Sequence, residues 1–400
     1  MKKKVLLAFS GGLDTSYCLR YLTTVKQFDV YTVLVNSGGF LKKEISEIEK
    51  RAKTLGVIKH YNIDVTADYY HKCIRYLIFG NVLRNNTYPL SVSAERIFQA
   101  IAIARQAKTL GVDYVAHGST GAGNDQIRFD MMLAILIPEI EILTPIRDQK
   151  LSREEEIEFL RTDGVHMDWE KVQYSLNKGL WGTSIGGKET LTSDKSLPEH
   201  AFPTPVTKRN PVDLKLEFRM GQIWAINGKK YTDAVQAIKF LNKLASPFGI
   251  GRDIHIGDTI IGIKGRVGFE AAAAILLIKA HQALEKHTLT KWQIYWKDQL
   301  SVWYGMHLHE GHYLDPVMRD IEKLLENTQK TVNGTVYLRL YEKRFEIKGI
   351  KSSNDLMSDK FGAYGEMNLA WDGNDARGFA KIIANQSRIY RAINQGLEND

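Results

Sequence analysis

Val5-Leu6-Leu7-Ala8-Phe9-Ser10-Gly11-Gly12-Leu13-Asp14-Thr15-Ser16 is the stretch that decides how this chain folds. Five apolar residues in unbroken succession match a strand covered on both faces, since a half-exposed strand would alternate. Gly11 and Gly12 permit a tight turn with close backbone approach, and residues 13–22 resume as a helix. Successive N–H groups in such a turn can converge on an anion. Ser10, Thr15 and Ser16 add hydroxyl donors, and the following helix presents its positive end. A bare glycine turn would not need those hydroxyls. The stretch lacks both the lysine of a Walker A loop and the G-x-G-x-x-G of a dinucleotide turn, so it implies a phosphate loop of another kind.

Outward from this loop, strand and helix alternate. Residues 30–35 and 61–65 read as strands, and 45–55 as a helix. In 94–110 the residues Ile97, Ile101, Ala104 and Ala107 recur at helical spacing, Gly111 stands at the C-cap position, and 114–116 resumes a strand. This alternation implies a parallel sheet with right-handed crossovers and ligands at the carboxyl ends of its strands. Ser152-Arg153-Glu154-Glu155 is a capping box opening a helix to about residue 160. Residues 175–215, rich in Gly, Ser, Thr and Pro, read as a long loop crossing between domains. Beyond it, 214–218, 223–226, 259–263 and 336–340 read as strands, and 271–284 and 316–325 as helices. The fold class is therefore α/β, a parallel-sheet nucleotide-binding domain at 1–170 followed by an α+β domain at 171–372. A terminal helix follows at 373–400, with Phe379, Ile382, Ile383, Ile389, Tyr390 and Ile393 on one stripe.

At roughly 150 residues per domain, 400 residues suit two or three domains. With 44% hydrophobic and 25% charged residues, the disordered and collagen-like classes are excluded. The net charge of +8 suits anionic small molecules and nucleic acid alike. Cys18 and Cys73 are the two cysteines, too few for a disulfide scaffold or a zinc finger, and they favour a reducing compartment. No run of 18 apolar residues occurs, and the apolar part of the amino end is too short for a signal peptide. A cytoplasmic location is expected.

The second informative segment is His117-Gly118-Ser119-Thr120-Gly121-Ala122-Gly123-Asn124-Asp125-Gln126-Ile127-Arg128. Its glycines let backbone amides approach a ligand, and Thr120, Asn124 and Asp125 offer hydroxyl, amide and carboxylate within one loop. Arg128 supplies a fork suited to a carboxylate. Alone, this would pass for a glycine-rich surface loop; two such loops at strand ends point to a substrate cradle.

The first loop resembles the pyrophosphate loop of the N-type ATP pyrophosphatases, which cleave ATP between the α and β phosphates. The 117–130 segment, Tyr88-Pro89-Leu90-Ser91-Val92-Ser93-Ala94-Glu95-Arg96, the segment from Tyr174 to Ser184 and Gly262-Ile263-Lys264-Gly265-Arg266 together resemble the argininosuccinate synthetase family, from residue 4 to beyond 380. The resemblance implies a ligase joining citrulline and aspartate with conversion of ATP to AMP and diphosphate, Mg²⁺ accompanying the diphosphate, in arginine biosynthesis. It implies ATP contacts at Ala8, Phe9, Ser10, Gly11, Gly12, Leu13, Asp14, Thr15, Ser16, Val35 and Gly118. Citrulline would meet Tyr88, Ser93, Asn124, Arg128, Ser175 and Ser184, and aspartate would meet Thr120, Asn124 and Asp125. Asp14, Asp125 and Arg128 are the candidate catalytic residues, Asp125 orienting the aspartate amine; no general base and no protein metal ligands are assigned. A homotetramer with its terminal helix reaching a neighbour is also implied.

Three positions depart from the family pattern. A glutamate and a tyrosine usually face the citrulline amino-acid end, where this chain has Gly257 and Phe269, and a nearby serine is Gly265. Either Asp258 substitutes for the lost carboxylate, or the substrate's α-nitrogen carries no charge, as in an N-acylated citrulline. Loops can shift a neighbouring carboxylate into place, which favours citrulline. A tRNA-modifying ATP pyrophosphatase would also explain the basic charge, but thiolation needs a nucleophilic cysteine near the strand ends, and neither cysteine sits in such a motif. Small-molecule substrates and no nucleic acid are expected. Other signals read as structural. His307-Leu308-His309-Glu310-Gly311-His312 lacks metalloprotease spacing and reads as a solvated turn before Asp315-Pro316. His117 reads as a hydrogen-bonded histidine or an acid–base group, the cysteines as apolar fillers, and Lys2–Lys4 as a solvated terminus.

Overall fold

In the computed structural model, which describes residues 2–121, 123–165, 174–367 and 370–394, the amino-terminal stretch is a strand, β1 (Lys4–Ala8). Val5, Leu6 and Leu7 are each fully buried. The pleat sends Val5, Leu7 and Phe9 against the helix Leu13–Arg20 and Leu160, and Leu6 to the opposite face with Val33 and Val35. This explains the unbroken apolar run. Strands β2 (Asp29–Asn36), β3 (Lys59–Asp64), β4 (Tyr114–Ala116) and β5 (Glu141–Leu143) join β1 in a parallel sheet ordered β3-β2-β1-β4-β5. The order reverses between β1 and β4, so the loops leaving these two strands open onto one crevice.

Helix Ser91–Leu110 covers one face of this sheet, beginning three residues earlier than its periodicity indicates. Gly111 caps it in the left-handed region at φ +57°, as its position predicts. Helix Arg153–Thr162 carries the expected capping box, with the Ser152 hydroxyl accepting from Glu155 N–H and the Glu155 carboxylate accepting from Ser152 N–H.

The remaining strands are β6 (Ser175–Gly179), β7 (Gly182–Gly186), β8 (Val212–Arg219), β9 (Gln222–Ile226), β10 (Lys229–Lys230), β11 (Arg252–Asp258), β12 (Lys264–Glu270), β13 (Gly334–Tyr341) and β14 (Arg344–Lys351). They form two antiparallel sheets, β10-β9-β8-β13-β14 and β11-β12-β7-β6, covered by helices Ala234–Ala245, Ala272–Thr288, Lys291–Glu310 and Pro316–Thr328.

Three expectations need correction. Residues 175–215 are not one long loop, because β6 and β7 form a hairpin there. Residues 259–263 are not a strand but the turn joining β11 to β12. The histidines at 307 and 309 do not lie in a solvated turn. They end the helix Lys291–Glu310, with Gly311 as its left-handed cap at φ +92°, and His309 is buried. Both cysteines are fully buried, as expected of apolar fillers.

The described chain divides into a compact unit up to Ser353 and a smaller one from Asn354. The smaller unit holds helix Gly373–Ile393, capped by Asp372, and its apolar stripe from Phe379 to Ile393 is exposed. Ala122, the 170/171 boundary and the last six residues lie outside the described residues. Among the described residues no helix is long and apolar enough to cross a membrane.

Candidate active site

The loop after β1 has the conformation its glycines suggest. Gly11 sits at φ +75° and Gly12 is extended, so helix Leu13–Arg20 begins without a side-chain cap and its first N–H groups stay available. Gly12 N–H donates to Ser10 Oγ, which lies 3.4 Å from Thr15 Oγ1. Arg51 fixes the turn by donating to the Gly11 carbonyl. The Ser16 hydroxyl is buried without a hydrogen-bond partner. Gly118, leaving β4, faces this loop so closely that a Cβ there would stand 3.2 Å from Asp14 Cβ and 3.3 Å from Thr15 N.

These elements line one cavity of about 940 Å³. It takes in Ala8, Phe9, Ser10, Gly12, Asp14, Thr15, Val35 and Gly118 of the expected ATP set, while Gly11, Leu13 and Ser16 lie behind the wall. Thr120, Asn124 and Asp125 line it, as do Tyr88, Ser93, Arg128, Ser175 and Ser184. Residues from both loops, helix Ser91–Leu110 and the β6–β7 hairpin thus converge on one space.

Arg96, not named as a site residue from sequence, organises its centre. Its guanidinium donates to Asp125 Oδ2 at 2.9 Å, Glu95 Oε1 and Gln99 Oε1 at 3.1 Å, and Asn177 Oδ1 of β6 at 2.7 Å. Arg128 Nη1 holds the other oxygen of Asp125 at 2.9 Å. Burial works to raise the Asp125 carboxyl, but the two guanidiniums outweigh it and keep it below its ordinary value. Glu95 is 1% exposed, and burial pushes it up to about 7 despite Arg96 and the Ser37 hydroxyl bonded to it at 2.8 Å. A charged pair among the apolar and small residues of the first half of this helix is the sequence signal for this cluster, since such a pair must find partners when buried.

Arg128 lines the cavity and is also bonded within the protein. Its Nε donates to the His309 carbonyl at 2.8 Å and its Nη2 lies 3.2 Å from His309 Nδ1, so the fork is held by Asp125 and the end of helix Lys291–Glu310. Asn124 Oδ1 accepts from Ile260 N at 2.8 Å, tying the aspartate loop to the β11–β12 turn. His117 is 2.8 Å from Asp130, which Arg147 also holds at 2.6 Å. Behind the phosphate loop, burial and then the Asp14 charge raise Glu156 to about 8, and burial raises Asp14 in turn.

The departures from the expected pattern fall on one hairpin. Gly257 pairs with Gly265 across β11 and β12, both line the cavity, and Phe269 packs on Tyr88 with ring centroids 5.5 Å apart. Asp258 lines the same cavity as Gly257, but its carboxylate does not occupy the place a side chain at 257 would take. Strand alternation sends its side chain to the other face, where it meets Lys264 at 2.5 Å and is held below its ordinary value.

A 3-2-1-4-5 parallel sheet with a serine–glycine loop at its switch point, roofed by a second domain, defines an α/β enzyme that works on a nucleotide's phosphates. Comparison with known proteins narrows the class. Residues 4–166 match the family model for the arginosuccinate synthase N-terminal HUP domain, and residues 174–390 match that for the arginosuccinate synthase C-terminal domain. The chain is 36% identical over 393 residues to the argininosuccinate synthase of Methanocaldococcus jannaschii, covering 98% of each. It is 35% identical over 391 residues to that of Sulfolobus acidocaldarius, covering 97% of this chain and 98% of the other. Over 401 residues it is 34% identical to that of Dictyoglomus thermophilum, covering 100% of both. The chain belongs to the argininosuccinate synthase family, and so to the ligases.

Proposed function

We propose that the protein joins citrulline and aspartate into argininosuccinate while cleaving ATP to AMP and diphosphate. The chemistry requires activation: a ureido carbon is a poor electrophile because its oxygen leaves poorly. Attack by that oxygen on the α-phosphorus expels diphosphate and gives a citrullyl-adenylate. The aspartate amine then displaces AMP, which carries the former ureido oxygen away. In-line transfer of this kind depends on positioning and charge stabilisation.

In this reading the turn at Ser10–Thr15 holds the β and γ phosphates, leaving the α-phosphorus facing the centre of the cavity. Val35 and Gly118 border the nucleotide. Thr120, Asn124 and Asp125 receive aspartate, Asp125 orienting its amine from between Arg96 and Arg128. Tyr88, Ser93, Asn124, Arg128, Ser175 and Ser184 receive citrulline, and Arg128 also fixes Asp125 and the helix end at His309. Oxygen donors suit magnesium; Asp14 with the hydroxyls of Ser10 and Thr15 would hold it, and it would supply positive charge beside the diphosphate. The observation that carries the reading is the convergence of both strand-end loops on one cavity.

We further assign residues 1–170, 171–372 and 373–400 to nucleotide binding, substrate binding and assembly. A cytoplasmic homotetramer is expected in which the exposed stripe Phe379–Ile393 docks on a neighbour, with no nucleic-acid partner. Incubation with ATP, magnesium, citrulline and aspartate tests the reaction. AMP and diphosphate formed only when both amino acids are present support it; ADP formation, or AMP formed without regard to citrulline, overturns it.

A further inference from the structure

The end of the cavity bounded by β11 is the part whose chemistry the reading above leaves open. Here His255 and Gly257 share the inward face of the strand. The His255 ring is 5% exposed and stacks on Tyr88, with centroids 5.2 Å apart and planes 23° from parallel. A Cβ on Gly257 would stand 2.6 Å from His255 Nε2, so the glycine leaves the imidazole edge open to the cavity that both residues line.

The tautomer follows from burial. Nδ1 is enclosed without a hydrogen-bond partner. An unpaired buried N–H is rarer and costlier than an unpaired lone pair, which puts the ring proton on Nε2. Burial and then the nearby Arg84 push the ring down to about 4, so it is neutral near pH 7. Two neighbouring side chains are donors too, while the carboxylate of Asp253 on the same strand acts on the ring in the opposite sense to Arg84. Asn85 Nδ2 lies 3.3 Å from the same point, bonded to the Ile256 carbonyl, and Arg84 donates to the Asp258 carbonyl. Of the carboxylates that line the cavity, Asp125 is held by two guanidiniums and Glu95 by Arg96 and Ser37, Asp258 pairs with Lys264 at the exposed end of the hairpin, Glu44 accepts from Leu41 N–H, and Asp14 belongs to the phosphate loop.

We propose that His255 sets specificity for the ureido substrate: its Nε2–H donates to an oxygen at the substrate's amino-acid end, so this pole reads an acceptor and not an α-ammonium group. The proposal rests on the ligase reading. It implies that neutralising the α-ammonium costs little, because the side chains that face Gly257, His255 and Asn85, present donors there.

Steady-state kinetics with citrulline and N-acetylcitrulline test it on the unaltered enzyme. The two should differ in kcat/KM by less than about tenfold, the loss that one charged hydrogen bond would cause. His255→Ala should raise the KM for the ureido acid about tenfold or more, with the KM for ATP and aspartate within about twofold. His255→Gln, which keeps a donor, should recover much of the loss. A preference for citrulline above about a hundredfold, or an unchanged ureido KM in a His255→Ala protein with wild-type melting, overturns the inference while leaving the ligase reading intact. Should His255→Ala not fold, the two-substrate comparison decides alone. No AMP from either acid would remove the ligase reading and this inference with it.

Discussion

Replacing Arg96 by methionine isolates the organising role of its guanidinium. The side chain is nearly buried, at 13% exposure, and makes four hydrogen bonds, two of them to the carboxylates of Asp125 and Glu95. Methionine keeps much of the volume and none of the charge. Glu95 then faces Asp125 without the cation between them, and Asn177 loses the bond that ties β6 to helix Ser91–Leu110. Removing one partner of a buried ion pair costs about 3–5 kcal/mol, because the remaining charge stays desolvated. Urea unfolding at pH 8 should show a deficit of that order. The deficit should shrink toward pH 5. Glu95 already protonates near 7, and losing Arg96 lifts it further, so acid neutralises the stranded charge. Kinetically, the KM for aspartate should rise about tenfold or more while that for ATP stays within about twofold, since Arg51 and the Ser10–Thr15 contacts hold the phosphate loop separately. A deficit below about 1 kcal/mol, or a parallel rise of both KM values, would refute the reasoning.

Three further outcomes follow from the same structure. Gly118→Val should weaken ATP binding about tenfold or more without unfolding the protein, because even a Cβ there meets Asp14 at 3.2 Å; an unchanged ATP KM contradicts the proposed loop geometry. Glu95→Gln should flatten the stability profile between about pH 4.5 and 7. A carboxyl raised to about 7 favours the fold while protonated and loses that advantage as pH rises, so the glutamine variant should gain up to about 3 kcal/mol at pH 8; an unaltered slope in urea titrations at several pH values speaks against it. Lys297→Met should destabilise by about 3–5 kcal/mol while sparing activity per folded enzyme, because the fully buried Lys297 pairs with the buried Glu285 at 3.0 Å, away from the cavity; adding Glu285→Gln should restore part of the loss, and no restoration would mean the ion pair is not its source.

What the sequence disclosed and what it hid follow from how far each signal reaches along the chain. The β1 loop was legible because its strand, turn and helix are contiguous, and each residue type answers a local requirement at Gly11, Ser10 and the helix start. Gly111 and Ser152 were legible for the same reason. The β6–β7 hairpin was hidden because Ser, Asn and Gly at 175–186 show neither alternation nor an apolar run; its strands are specified by pairing with β12 and by Arg96, residues distant in sequence. The 307–312 segment misled because three histidines and a glycine look polar, whereas the helix ending there buries His309 against Arg128 from the other domain. That the donors of Arg128 also meet residue 309 was hidden for the converse reason, since nothing local announces it. His255 left no mark at all, since a histidine in a strand gains meaning only when Gly257 and Tyr88 stand beside it.

Oxygen-18 placed in the ureido group of citrulline tests the central claim most directly. If that oxygen attacks the α-phosphorus held open by the Ser10–Thr15 turn, mass spectrometry will find the label in the phosphate of AMP, one atom per turnover. Unlabelled AMP, or label retained in the amino-acid product, would contradict it.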